Sequence, residues 1–145
     1  MEYAVGKTGR VVAARLFEGE NLYESIEGLA AKEGINSAAV LITGGFRKGK
    51  IVVGPKTETP KIEPDMREFT GPAEMLGVGT IYRDDDGPKL HIHTAMGKGS
   101  EVVVGCPRGG ASIFLILEVT IIEIAGIEAE RRLDGKTGFN LLRFD

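Results

Sequence analysis

Apolar residues recur at helical spacing in one clear segment near the start of the chain. Four of them fall on one face of a 3.6-residue period: Leu22, Ile26, Leu29 and Ala30. Lys32 lies in the last turn of this segment, where a cation complements the helix dipole, and Gly34 follows at a common C-terminal position. The pattern therefore predicts one amphipathic helix from Asn21 to about Glu33.

The rest of the chain consists of short apolar and β-branched runs separated by glycine, proline or acidic turns, a pattern typical of β-strands. The predicted strands are Arg10–Phe17, Ser37–Thr43, Gly49–Val53, Arg67–Thr70, Ala73–Tyr82, Leu90–Met96, Glu101–Gly105, Ser112–Ile124, Ala129–Leu133 and Phe139–Phe144. The segment Lys56–Pro64, with Pro60 inside it, is expected to be a loop or an edge. One helix against so many strands predicts an α+β fold with a mostly antiparallel sheet, in a single domain spanning residues 1–145.

The strand Ser112–Ile124 is apolar on both faces, so we expect both of its faces to be covered. One short helix cannot cover both sides of the sheet. The pattern therefore predicts that a partner subunit covers the second side.

Composition narrows the functional classes. The chain of 145 residues has 18 basic and 21 acidic side chains and a formal net charge of −3, which argues against a basic coat that grips nucleic acid through bulk charge. A single cysteine excludes an intramolecular disulfide framework and indicates a reducing compartment. The sequence has no signal peptide pattern and no apolar run of membrane-spanning length, so we expect a cytoplasmic protein without a membrane partner.

The first candidate for chemistry is His91-Ile92-His93, which contains both histidines of the chain. Residues i and i+2 of a strand point to the same face, so the two imidazoles can converge on one ion. If Lys98 and Gly99 are the central residues of a tight turn, Cys106 lies directly opposite His91 on the neighbouring strand. Two nitrogens and one sulfur are Zn²⁺ ligands, and three protein ligands leave a fourth position open. The sequence therefore predicts a zinc site at His91, His93 and Cys106.

Other interpretations of these residues remain open. The histidines could form a polar, solvated face beside a buried thiol. Alternatively, Cys106 could act as a nucleophile with one histidine as its base, but two histidines on one face suit a metal ion better than a single base. Glu118 could serve as a general base or support a ligand histidine, but we favour a structural ion pair or a solvent-facing carboxylate. Gly44-Gly45 with the basic residues Arg47, Lys48 and Lys50 could hold an anion, although a plain strand connection is the favoured interpretation.

Several segments together resemble the PPC (plants and prokaryotes conserved) domain family over about residues 10–144. RLFEGENLYESIEGLAAKEGINSAAV at 15–40 is similar to the family's first strand, helix start and second strand. GPAEMLGVGTIYRDDDGPKLHIHTAMGKGSEVVVG at 71–105 follows its Gly-Pro-x-Glu segment, Leu-His-x-His strand and Val-Val-Gly hairpin. SIFLILEVTIIEI and LDGKTGFNLLRF resemble its long strand and its closing segment.

The resemblance implies an α+β fold that assembles into a homotrimer. Plant members are nuclear DNA-binding regulators with AT-hooks, which have no counterpart in this chain, and prokaryotic members are single domains named as candidate DNA-binding proteins. Some members hold a metal on three histidines, of which His91 and His93 match two and Cys106 stands in place of the third.

We therefore expect a metal-binding, homotrimeric regulator that contacts DNA. A local patch would make that contact, formed by Arg47, Lys48, Lys50, Lys56 and Lys61. The alternative is a zinc-dependent enzyme or sensor that takes a small-molecule ligand at the metal. No catalytic residues are assigned, and binding is favoured over turnover.

Overall fold

The computed structural model describes residues 1–58 and 62–144, and within them one helix accompanies seven strands in one sheet. The elements are β1 (Lys7–Phe17), α1 (Leu22–Glu33), β2 (Ser37–Thr57), β3 (Glu63–Asp84), β4 (Gly87–Lys98), β5 (Glu101–Ala125), β6 (Ala129–Leu133) and β7 (Asn140–Phe144). The fold is thus mostly β-sheet with a single helix, as the hydrophobic pattern predicts. Across the described ranges, no helix has the length and apolar character needed to cross a membrane.

Helix α1 ends at Glu33, as the sequence predicts, and begins one residue later than predicted, at Leu22, with Asn21 as its N-cap. The side chain of Asn21 accepts hydrogen bonds from the backbone N–H groups of Tyr23 and Glu24, which satisfies donors that the first turn leaves free. Gly34 ends the helix in the left-handed conformation, with φ of 68°. The apolar face of the helix buries Leu22, Ile26 and Ala30 in the core.

Four strands form a closed circuit of antiparallel pairings: β2 with β3, β3 with β4, β4 with β5, and β5 with β2. β5 is long enough to pair with β4 at its start and with β1 through its second half, while β2 pairs with it from Cys106 to Glu123. β6 and β7 form a hairpin that touches β3 at a single parallel position, Arg83 beside Glu130. This arrangement brings the C-terminal hairpin toward the start of β4.

The strands are longer than the sequence analysis predicts, because glycine and proline do not interrupt them. Three pairs of expected strands merge: 37–43 with 49–53 in β2, 67–70 with 73–82 in β3, and 101–105 with 112–124 in β5. The segment expected to be a loop or an edge, Lys56–Pro64, holds the end of β2 and the start of β3, while residues 59–61, which include Pro60, lie outside the described residues.

Gly44 and Gly45 explain why β2 continues. A Cβ atom at Gly44 would lie 2.8 Å from the Cα atom of Leu117, and one at Gly45 would overlap the carbonyl oxygen of Phe114. The pairing of β2 with β5 shifts at this point, so the two backbones approach more closely than side chains would permit. The glycines therefore permit a close strand crossing, and they do not form a turn.

The two sides of the sheet differ in burial. On the side that carries α1, side chains such as Ile42, Ile81 and Ile92 are buried in one core cluster. The opposite side, called here the outer face, leaves large apolar residues exposed: Val11, Leu41, Leu76, Val78 and Ile116. Their strand pairings place them side by side across β1, β5, β2 and β3. Within this chain, the outer side of β5 is therefore uncovered.

Candidate metal centre

The β4–β5 hairpin turns one residue later than the sequence analysis predicts. Lys98 pairs with Glu101, so Gly99 and Ser100 are the central residues of the turn. Gly99 has φ of 61°, and glycine at the first central position is the requirement of a type II′ turn, whereas the prediction assumed glycine at the second position. The predicted pairing of Cys106 with His91 is therefore wrong, and continuation of the observed register sets Cys106 beside His93.

This correction leaves the three residues together, because moving the turn by one residue shifts the register by two and keeps every side chain on its face. The ligand atoms of His91, His93 and Cys106 all lie within 4.8 Å of one another. The two Nε2 atoms are 3.2 Å apart and the rings meet edge to face. The histidines are exposed on the outer face, and Cys106 beneath them is 4% exposed.

The surroundings of His91 favour its neutral form. Burial lowers the pKa of the His91 imidazole, and the nearby positive charges of Arg131, His93 and Arg108 lower it further. A neutral imidazole offers a lone pair to a metal, whereas an imidazolium does not. The environment of His91 therefore favours the form that binds an ion.

Two residues of α1, one turn apart, hold the strands that carry the site. The Tyr23 hydroxyl donates to the carbonyl oxygen of Pro107, next to Cys106, and the carboxylate of Glu27 accepts a 2.9 Å hydrogen bond from the backbone N–H of Leu90, next to His91. Burial raises the pKa of Tyr23, with a further contribution from Cys106, so the hydroxyl keeps its proton. The helix thus fixes the spacing of the two strands where the cluster lies.

A cleft of about 420 Å³ opens beside His91. The charged side chains of its lining are basic: Lys89, Arg108 and Arg131. Phe139 and Leu141 of the C-terminal hairpin provide an apolar wall. Arg108 donates to the Tyr23 hydroxyl over 3.1 Å, and Arg131 donates to the Thr80 hydroxyl over 3.1 Å. The metal candidate and a positively charged cleft are therefore neighbours.

The other sequence candidates are not brought to this cluster. Glu118 is exposed on the outer face, where it pairs across the strands with Arg15 and Thr43, in agreement with a solvent-facing carboxylate. Arg47 forms an ion pair with Glu18 and lies 4.8 Å from the ring centroid of Phe114. It therefore already has an anionic partner of its own.

Sequence reasoning missed Tyr23, Glu27, Arg108 and Arg131. Tyr23 and Glu27 lie four residues apart on the predicted helix, a spacing that indicates a shared face. The sequence does not predict which strands this face contacts. The position of Arg131 depends on where the C-terminal hairpin packs. These residues become visible only once the fold is known.

Comparison with known proteins agrees with this fold. The sequence model of the Plants and Prokaryotes Conserved (PCC) domain matches residues 3–125. A metal-containing protein from Archaeoglobus fulgidus is similar in structure, with a TM-score of 0.86 and 27% identity over 97% of this chain and 98% of that one. A plant- and prokaryote-conserved (PPC) protein from Pyrococcus horikoshii has a TM-score of 0.85 and 26% identity over 99% of this chain and 97% of that one.

A third structure, the "Putative DNA-binding protein" from Ralstonia eutropha, shares the fold with a TM-score of 0.77 at 19% identity, over 92% of this chain and 90% of that one. No curated protein matches the chain. The fold and the cluster define a small, mostly β protein whose central hairpin gathers two imidazoles and a thiol. The chain belongs to the Plants and Prokaryotes Conserved domain family, abbreviated PCC or PPC.

Proposed function

We propose that the chain is a metal-binding, homotrimeric PPC-domain protein that holds Zn²⁺ on His91, His93 and Cys106. The separation of the two Nε2 atoms carries this proposal. Tetrahedral zinc bound at about 2.0–2.1 Å by two imidazoles holds their nitrogens roughly 3.3 Å apart, and the two atoms here are 3.2 Å apart. The thiol lies within 4.8 Å of both, so a small rotation brings it into the same sphere.

The donor set also favours zinc. Thiolate and imidazole are ligands that zinc accepts readily, whereas magnesium and calcium prefer oxygen. A bound zinc ion with three protein ligands would supply a Lewis-acidic position open to water or a small molecule. Both imidazoles must be neutral and the thiol ionised, so zinc affinity should fall as the pH falls toward the ordinary histidine pKa of about 6.5.

Metal content of the purified protein, measured by mass spectrometry with removal variants, tests the zinc proposal. His91→Ala and His93→Ala should each lose most of the metal, because two remaining ligands hold an ion poorly. Cys106→Ser should weaken binding more than it lowers stability, and Cys106→His should retain zinc on three imidazoles. Glu118→Gln, an exposed change on the same face, is the matched control and should keep full occupancy. Metal content unchanged in all three removal variants would contradict the proposal.

The homotrimer is supported by the uncovered outer face. Leu76 and Val78 are 63% and 66% exposed, side by side with other apolar residues on a continuous sheet surface. A surface of this kind is typical of a subunit interface. We propose that further copies of the chain cover the outer face, because this chain already covers the other side of the same sheet. The number three comes from the family resemblance.

For the DNA-binding role we propose the patch of Lys48, Lys50 and Lys56, all of which are exposed. Arg47 is engaged with Glu18, and Lys61 lies outside the described residues, so the patch is smaller than the sequence suggests. An electrophoretic shift that weakens steeply with salt, and that Lys48→Gln with Lys50→Gln reduces while Lys136→Gln does not, is the expected result. No shift at low salt with micromolar protein would contradict this role.

The second candidate function is a zinc-dependent enzyme or sensor that takes a small molecule. The cleft beside His91 favours it, because its volume of about 420 Å³ suits a small ligand next to the open metal position. A bound organic molecule that copurifies with zinc would support this candidate over a regulator that acts on DNA alone.

A further inference from the structure

The cleft beside His91 is lined by positively charged side chains, and Asp84, whose charge acts on Arg131, forms no ion pair with it. Lys89, Arg108 and Arg131 line it, and no aspartate or glutamate is among its described lining residues. Neither Arg108 nor Arg131 forms an ion pair within residues 1–58 and 62–144. Partly buried guanidinium groups without an anionic partner are costly, which points to a partner that arrives from solution.

Arg131 provides the most specific observation. Its Nη2 atom donates to the Thr80 hydroxyl over 3.1 Å, while its Nε atom is buried and has no hydrogen-bond partner. The Tyr82 ring lies 5.7 Å below the guanidinium carbon and helps to orient it. The buried Nε–H does not face solvent, so an arriving carboxylate would meet the other N–H donors of this oriented, planar guanidinium, which suit paired oxygen atoms.

The remaining lining defines the rest of the ligand. Arg108 is held in place through its Nη1 atom, by the Tyr23 hydroxyl and by the Pro107 carbonyl oxygen, each at 3.1 Å. Phe139 and Leu141 supply an apolar wall, and His91 stands at one end. A compact inorganic anion would leave this wall without a contact, whereas an organic acid would fill it.

We propose that this cleft binds a small organic carboxylate, whose carboxylate group pairs with Arg131 and Arg108 and whose apolar body packs against Phe139 and Leu141. The carboxylate subsite stands on these side chains alone. Only the further step, that the end of the ligand near His91 reaches the metal, rests on the proposed zinc centre. The inference thereby names the ligand class for the sensor or enzyme candidate.

Calorimetric titration of 3-phenylpropionate into the full chain tests the subsite, with the protein both zinc-loaded and chelator-treated. The neutral isostere 3-phenylpropionamide and inorganic phosphate are the comparison probes. We expect saturable binding of the carboxylate, with binding of the amide at least tenfold weaker. Arg131→Gln and Arg108→Gln should each reduce carboxylate affinity about tenfold or more. Arg132→Gln is the matched control, because the neighbouring Arg132 pairs with Glu130 and does not line the cleft.

Each outcome separates this inference from the zinc proposal. Carboxylate binding that survives chelation and is lost in Arg131→Gln supports the subsite even if no zinc is found. Equal binding of the amide, phosphate binding without carboxylate binding, or affinity unchanged in both arginine variants would overturn it even if the metal is present. Arg131→Lys keeps the positive charge but lacks the planar fork, so it should still fold and bind weakly. Affinity equal to wild type in Arg131→Lys would also overturn the paired geometry.

Discussion

Replacing Leu76 by aspartate should prevent assembly of the proposed trimer without unfolding the chain. Leu76 lies on the outer face and is 63% exposed. Completely burying a leucine contributes about 1.5–3 kcal/mol, so burying the exposed part at an interface contributes about 1–2 kcal/mol per copy and roughly 3–6 kcal/mol per trimer. Aspartate removes this gain, and placing its carboxylate in the interface adds a desolvation cost of several kcal/mol. The side chain contacts no buried core on its own, so folding should be preserved.

Light scattering after size-exclusion chromatography measures this effect. Wild type should have three times the chain mass of 15.5 kDa at micromolar concentration, and Leu76→Asp should have the mass of one chain. Leu133→Asp is the matched control, because Leu133 is 72% exposed but lies in β6, outside the apolar surface that β1, β5, β2 and β3 form. Circular dichroism should show the same strand content in all three proteins. A wild-type mass near 15.5 kDa, or a Leu76→Asp variant that stays trimeric, would refute the reasoning.

Two further predictions concern stability. Gly45→Ala should lower the free energy of unfolding by roughly 1–3 kcal/mol, because its methyl group overlaps the Phe114 carbonyl oxygen. In Gly28→Ala, in the middle of α1, the added methyl group has no neighbour within 4 Å, so the free energy of unfolding should rise by about 0.5–1 kcal/mol. Urea denaturation of both variants measures the two effects, and equal effects would contradict a close approach of the strands at Gly45. The Arg10 hydrogen bond lowers the pKa of Glu123 from 4.5 to about 2. Stability from this pair is present above pH 4.5 and is lost as the pH falls through about 2. Glu123→Gln should therefore flatten acid unfolding in that window, measured by thermal melts against Glu101→Gln, and an unchanged profile would argue against the pair.

The helix was predictable from the sequence because all its signals are local. Its apolar period, the Asn21 cap and the Gly34 terminus depend only on neighbours within a few residues. The ends of the strands were not predictable, because Gly44 and Gly45 allow two strands to approach closely and do not form a turn. The dipeptide Gly44-Gly45 is compatible with a turn and with a close approach of two strands, and only the position of β5 shows that the second applies.

There is a physical reason why the cluster of His91, His93 and Cys106 was predictable although the turn was placed one residue too early. Side chains on a strand alternate with a period of two, and moving a two-residue turn by one position changes the register by two. An error of that size changes which residue is opposite but not which face it occupies. The face of Cys106 was therefore robust, while its direct neighbour, His93 in place of His91, was not.

The basic cleft lies beyond sequence prediction because no local pattern connects Arg131 to His91. The hairpin of β6 and β7 pairs with β3 at one parallel position, Arg83 beside Glu130, and the neighbouring Arg131 contacts Thr80 and Tyr82 of β3 and so reaches the cleft. Arg108, by contrast, follows Cys106 by two residues and belongs to the same strand as the thiol. The two guanidiniums therefore reach the cleft by independent routes. Because the proposed metal ligands lie on β4 and β5 alone, a change at Arg131 should affect binding of the proposed carboxylate and leave His91, His93 and Cys106 in place.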